Sequence, residues 1–337
     1  MILTFKVKHN RDFSHELRLA RKVAKVALKT KTRSSKDVKH IGLKSIISNQ
    51  ILRKYSHNKR LKRINKVVLT IPNQGIKLNK DERTIWIPSL KLSLNYQFRN
   101  DFEKINQIEV NDTYAFISTT IPEPVTREVN GHIGVDRNTT GHVAVAANSE
   151  TGKVYKLGKK AEHVHKKYAN IRKELQEQGK YKALKKVKRR ESNIVRDLNH
   201  KISRKIVDVA DKENKGIKLE DLQEIRKNRN GKTRRSFRYS LNSWSYYQLE
   251  QMILYKARLL GIPVSYVEPA YTSQNCSRCG HLGNRSNKNF KCPFCGHVDH
   301  ADSNAAFNIA LRQVKDGRLD VDRDAFKGST DAPPRRQ

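Results

Sequence analysis

Acidic residues are scarce in this chain. Its 337 residues carry 33 Asp and Glu against 70 Lys and Arg, a formal net charge of +37 at pH 7. A basic surface adapted to salt or heat usually carries matching acids. A surplus without them points to a polyanion, and nucleic acid is the expected partner. Long apolar runs are also lacking. No segment reaches the length a membrane span needs, and the opening MILTFKVKHN has no signal-peptide core. The expectation is a soluble cytoplasmic protein with no membrane partner. No glycine-rich phosphate loop is present, and no histidine stands in nucleophile-triad spacing. Cysteine is confined to four positions, which in a reducing compartment favours metal ligation over disulfides.

Those four are Cys276, Cys279, Cys292 and Cys295, two Cys-x-x-Cys pairs separated by the residues from Gly280 to Lys291. Four thiolates at this spacing close a tetrahedral zinc site with no open coordination position, so the metal is expected to be one structural Zn²⁺. His281 and His297 lie close by, but four sulfurs suffice.

The chain is long enough for two or three domains. Residues 1–66 read as helical and basic. Leu17, Ala20, Ala24 and Ala27 share one face, Ser35 is placed to cap a short helix, and Gly42-Leu43 turns into another. This is the pattern of a helix-turn-helix or of a plain helical hairpin. The run RKYSHNKRLKRINK follows, and Arg53, Lys54, Lys59, Arg60, Lys62 and Arg63 are candidate phosphate contacts. Residues 67–125 are β-rich, suggesting a small antiparallel barrel or sheet. From His132 come three short strands and a long basic helical stretch broken near Gly179. A strand at 216–222, a helix at 245–260, a strand at 263–268, the cysteine segment (271–297) and a last helix from about Asp302 complete the order. This β-β-β-α-β-α-β-insert-α order is an α/β, RNase H-like layout over 126–270 and 298–315. Residues 316–337 are polar and expected to form a disordered tail.

Three carboxylates stand out on this order. Asp136 sits inside the apolar strand IGVDRN, where a charge is costly unless a cation compensates it. Glu220 ends the strand IKLE. Asp302 opens the final helix, where free backbone N–H groups favour an anion. Taken alone, Asp302 reads as an ordinary helix cap and Glu220 as one end of a surface ion pair. Together, in this order, they are expected to converge as a Mg²⁺ site, where two ions could activate a water and stabilise the leaving oxygen of a phosphodiester.

With these residues in place the chain resembles the TnpB family, RNA-guided endonucleases encoded by insertion sequences and related to the type V CRISPR effectors. The resemblance rests on GVDRN (134–138), LEDL (219–222) and YTSQNCSRCG…FKCPFCG…DSNAAFNIA (271–310). It is specific over roughly 130–311 and weaker before that. Ala301 stands where the family commonly has a basic residue. The resemblance implies that Asp136, Glu220 and Asp302 are RuvC-type catalytic acids holding Mg²⁺, and that the four cysteines bind zinc. It also implies a guide RNA, double-stranded and displaced single-stranded DNA as partners, a recognition region in the N-terminal part, and a prokaryotic, nucleoid-associated monomer with RNA. Arg234, Arg235 and Arg238, on a loop after the second acid, are candidate contacts near the scissile strand; an ordinary basic loop is the plain alternative.

The expected function is therefore RNA-guided DNA cleavage next to a short motif. A guide-directed binder or repressor without cleavage, and a strand-transferring transposase, are the alternatives. An RNA-binding structural protein is a third, but it leaves Asp136 without a use. Retention of all three acids favours cleavage. The cysteine ribbon placed directly before the third acid argues against the transposase.

Overall fold

The computed structural model describes residues 1–58, 61, 63–98, 100–138, 140–222 and 246–314. The candidate residues Lys59, Arg60, Lys62, Arg234, Arg235 and Arg238, and the expected tail at 316–337, lie outside the described residues. Two compact units are present, Met1–Glu123 and a second beginning at Pro124.

The first unit opens with a strand, β1 (Ile2–Lys8), followed by α1 (Ser14–Thr30) and α2 (Ser45–Tyr55). Five of its six remaining strands, β2 (Leu69–Pro72), β3 (Lys77–Asn79), β4 (Thr84–Ile87), β5 (Leu92–Asn95) and β6 (Lys104–Val110), precede β7 (Tyr114–Thr120). One antiparallel sheet has the order β1-β7-β6-β2 and another has β3-β4-β5. Three expectations are corrected here. Residues 1–66 are not wholly helical: ILTFKVK alternates and pairs with β7, Ile2 opposite Thr120. Its partner is too remote in sequence for a local pattern to reveal. The short helix expected after Ser35 is a single 3₁₀ turn, Lys39–Ile41, so the first helix of a helix-turn-helix is missing. Ser34, not Ser35, accepts a turn N–H, from Lys36 at 3.2 Å. The strands form two sheets, not one closed barrel, since β1 and β2 are unpaired edges of the first. Ala20, Val23, Ala24 and Ala27 of α1 and Ile47, Ile51 and Leu52 of α2 join Leu69, Ile71, Ile108 and Ile117 in one core.

The second unit contains β8 (His132–Arg137), β9 (Ala144–Asn148) and β10 (Val154–Leu157), then α3 (Lys160–Glu177) and α4 (Tyr181–Lys212). Gly179, at φ +63°, turns the chain between the two helices. β11 (Gly216–Glu220), α5 (Tyr246–Leu259) and β12 (Val264–Val267) follow. The last elements are β13 (Asn284–Ser286), β14 (Asn289–Lys291), β15 (Val298–His300) and α6 (Ala301–Leu311). The main sheet has the order β10-β9-β8-β11-β12. β8, β9 and β10 are antiparallel neighbours, whereas β11 runs parallel to both β8 and β12. This is a mixed α/β sheet whose middle strands β8 and β11 are buried on both faces, charged residues included.

On one face Ile202, Ile206 and Val209 of α4 and Leu249 and Ile253 of α5 cover Ile133, Val135, Ile217 and Leu219. On the other, α6 crosses β8, β9 and β11. Its backbone lies so close to β8 that a Cβ on Gly134 would meet the Ala306 carbonyl oxygen at 2.1 Å. Only glycine allows that approach. Buried Lys218 of β11 donates to the Ala310 and Arg312 carbonyls, at 3.0 and 2.6 Å, and so satisfies the C-terminal end of α6. Gly134 and Lys218 together set where the start of α6, and with it Asp302, falls over the sheet. No helix among the described residues is long and apolar enough to cross a membrane.

Candidate metal centres

β8 and β11 are parallel neighbours with Val135 opposite Leu219. Asp136 and Glu220 are the next residues of each strand, and they emerge at the same sheet edge. Asp302 enters from the first turn of α6. The sequence order thus brings the three acids to one place, close enough for Asp136 to be repelled by both of the others. Asp136 and Glu220 are 8% exposed and Asp302 is 1% exposed, so none has bulk water to solvate its charge.

Each carboxylate has a different companion. Asn138 Nδ2 donates to Asp136 Oδ2 at 2.8 Å. Thr272 Oγ1 donates to Glu220 Oε1 at 2.5 Å. Lys288 Nζ donates to both oxygens of Asp302, at 2.9 and 2.7 Å. Burial, then repulsion by Glu220 and Asp302, pushes the Asp136 carboxyl up to about 7. Burial likewise raises Glu220, opposed by the Thr272 hydroxyl and the charge of Arg137. Burial lowers the pKa of His300, opposed by Asp302, whose Oδ2 lies 3.9 Å from His300 Nδ1. Arg137 directs its guanidinium to the Glu250 carboxylate at 2.5 Å and the Glu220 carbonyl at 2.6 Å. A hard divalent cation with oxygen ligands is the chemistry that suits three buried carboxylates so lightly neutralised.

The cysteine segment folds as the three-stranded sheet β13-β14-β15 with Phe290 at its centre. All four sulfurs lie within 4.8 Å of one another. Cys276 and Cys295 Sγ are 3.6 Å apart, and Cys279 and Cys292 Sγ are 3.5 Å apart. Zn–S bonds of about 2.3 Å in a tetrahedron place sulfurs roughly 3.8 Å from each other. The cluster is therefore compatible with zinc. The Cys295 backbone N–H, aided by that of Phe294, holds the Cys292 thiol down at about 6, while, against the His281 backbone N–H, burial and the neighbouring sulfurs push Cys279 up to about 12.

Asn304 and Asn308 dock this segment on α6. Asn304 accepts from the Ser277 N–H at 2.9 Å and donates to the Asn275 carbonyl at 2.7 Å. Asn308 donates to the Thr272 and Asn275 carbonyls, at 2.8 and 2.7 Å. The two asparagines are four residues apart, on one helix face. The same contacts hold Thr272 against Glu220.

Sequence reasoning singled out the acids and the cysteines but not Asn138, Thr272, Lys288, Asn304 or Asn308. All five lie in or beside the motif blocks, and that proximity was the available signal. Of the candidate basic residues described, Arg53 and Arg63 are exposed, whereas Lys54 forms an ion pair with Glu109 at 3.0 Å. Arg63 lines a groove of about 500 Å³ with Arg21, Lys25 and Lys29 of α1.

Residues 246–309, from α5 through the cysteine segment into α6, match the family model described as Cas12f1-like, TNB domain. Over 159 residues the chain is 39% identical to a TnpB-like protein of Methanocaldococcus jannaschii, covering 46% of this chain and 57% of that one. The chain is similar to TnpB-family proteins. It is also 35% identical over 233 residues to the CRISPR-associated endodeoxyribonuclease Cas12f1 of Sulfoacidibacillus thermotolerans, covering 63% of this chain and 52% of the relative. The matches thus span little more than half the length of these relatives. In fold it is similar to the Cas12f1 chain of a cryo-EM complex with sgRNA and target DNA. That likeness has a TM-score of 0.60 at 17% identity, over 90% of this chain and 82% of the other.

Proposed function

We propose that the protein is an RNA-guided DNA endonuclease that cuts guide-matched DNA beside a short motif. The observation that carries this reading is the cluster of Asp136, Glu220 and Asp302, buried at one sheet edge with Lys288 against Asp302. The family and the name of the 35%-identical relative support the same activity. The surplus of 37 positive charges suits a guide RNA and DNA as partners.

The finer architecture belongs to this proposal. The strand order and the parallel β8–β11–β12 arrangement support an RNase H-like (RuvC) nuclease domain over 126–270 and 298–315, with a zinc ribbon at 271–297. Residues 1–66 and 67–125 would form the recognition region, its two segments sharing a sheet through β1 and β7. Arg53 and Arg63, with Arg21, Lys25 and Lys29, offer charges for phosphate contacts that position the nucleic acid.

In the mechanism Asp136, Glu220 and Asp302 would hold Mg²⁺, and Cys276, Cys279, Cys292 and Cys295 would hold Zn²⁺. Bound Mg²⁺ supplies an activated water and stabilises the leaving oxygen of the phosphodiester. Asn138 and Thr272 fix the orientation of Asp136 and Glu220 by donating to one oxygen of each, leaving the other oxygen free to ligate. Asp136, raised to about 7 by burial and its acidic neighbours, would have to be ionised to hold the ion. Asn304 and Asn308 keep the ribbon and the acid-bearing helix in one register.

The test is to purify the protein with its co-expressed RNA, sequence that RNA, and challenge the complex with matching duplex in Mg²⁺. Cleavage of matched and not of scrambled duplex is expected. Binding without cleavage would favour a guide-directed repressor, and absence of a defined RNA would refute guidance.

A further inference from the structure

Lys288 stands apart from the other cations of the second unit. It occupies the turn between β13 and β14, after Asn287 in a left-handed conformation at φ +54°. Its carbonyl accepts from the Ala301 N–H at 2.8 Å, which ties the tip of the hairpin to the first residue of α6. Its Nζ reaches both Asp302 oxygens and lies 3.3 Å from Asn138 Oδ1. Asn138 in turn donates to Asp136. One ammonium thus links the ribbon, the acid on α6 and the acid on β8. Arg285 of the same hairpin is more distant, with Nη2 3.8 Å from Asp302 Oδ1.

This ammonium lies against both oxygens that a divalent ion needs from Asp302. An octahedral Mg²⁺ requires carboxylate oxygen at about 2.0–2.1 Å. An ion at that distance and an ammonium in hydrogen-bonding contact with the same oxygens would repel each other in a buried, weakly screened site. Lys288 is also able to leave. Its side chain is 32% exposed, and its stem is a flexible four-carbon chain. Its backbone anchor to Ala301 need not break for the amine to swing outward.

We infer that Lys288 is a tethered counter-cation of the acid centre. It compensates Asp302 while the centre is empty of metal and must withdraw before a divalent ion enters, so it sets how readily the centre fills. The inference rests on the reading of the three acids as a metal site. It assigns the ribbon hairpin a role in metal loading in addition to its own fold, because the cysteine cluster fixes the strand that leads to Lys288.

The test uses the full, zinc-loaded chain and Mn²⁺, with free ion followed by its electron paramagnetic resonance signal. Binding that disappears in Asp136→Ala defines the acid centre. Lys288→Gln, checked for one zinc per chain, is expected to bind Mn²⁺ at this centre at least fivefold more tightly than the unaltered protein. Equal or weaker binding would overturn the inference, since a lysine that merely orients Asp302 would leave the centre weaker when removed. A second measurement needs no variant. Amine-reactive labelling followed by mass spectrometry should find Lys288 protected without Mn²⁺ and several-fold more reactive with it. Unchanged reactivity would also overturn the inference. Absence of any Asp136-dependent Mn²⁺ binding, in both proteins, would instead refute the metal-site reading beneath it.

Discussion

The Thr272 hydroxyl donates to Glu220 Oε1 at 2.5 Å while Asn308 on α6 holds the Thr272 carbonyl at 2.8 Å. The second acid is thereby oriented by the segment that leads into the cysteine ribbon. Thr272→Val removes the donor at nearly constant volume. Cleavage should fall roughly 10–100-fold, the usual cost of losing a partner that orients a ligand. Duplex binding should be unchanged, and Thr272→Ser should recover most of the rate. Single-turnover cleavage and filter binding measured together check this.

The raised Asp136 carboxyl makes a prediction about stability. The folded, metal-free protein keeps this proton up to about pH 7, whereas the unfolded chain releases it near 3.8. Between those values the folded state binds more protons, so this group's contribution is complete at low pH and is lost as pH rises through 7. Asp136→Asn removes the titration. Its melting temperature without Mg²⁺ should exceed that of the unaltered protein by an amount that grows from pH 5 to pH 8, reaching several degrees at about 2–4 °C per kcal/mol. Calorimetry across that range checks it, and a constant difference would contradict the assignment.

Cys292→Ser should remove zinc and disorder more than the ribbon. Phe290 and the docking contacts of Asn304 and Asn308 depend on the same small sheet. Zinc content should drop from one per chain toward zero by mass spectrometry. Cleavage should be lost with it, because Thr272 orients Glu220 from the adjoining segment, which Asn304 and Asn308 dock on α6.

The groove of α1 carries the prediction for nucleic acid. Arg21→Gln, Lys25→Gln and Arg63→Gln each remove one charge from its lining. Each should weaken RNA–protein affinity without sequence preference, and each lost phosphate contact should reduce the salt slope of binding by about 1. Titrations at several salt concentrations measure it. An unchanged slope would place the nucleic acid on another surface.

The features legible in the sequence were those that break a local rule. Asp136 is a carboxylate within an apolar strand, and the four cysteines hold a spacing with one common use. The order of strands and helices from His132 onward follows from periodicity, with short apolar strands alternating with long helical stripes. What escaped is non-local. β1 is a strand only by virtue of β7. Thr272 and Lys288 are ordinary residue types whose importance depends on what folds beside them.

The central claim is that Asp136, Glu220 and Asp302 act as one metal-dependent centre. The most direct measurement is cleavage and binding of matched duplex by Asp136→Ala, purified with its RNA, in Mg²⁺. The account predicts binding within a few-fold of the unaltered complex and no detectable cutting. Cutting at the unaltered rate would contradict it.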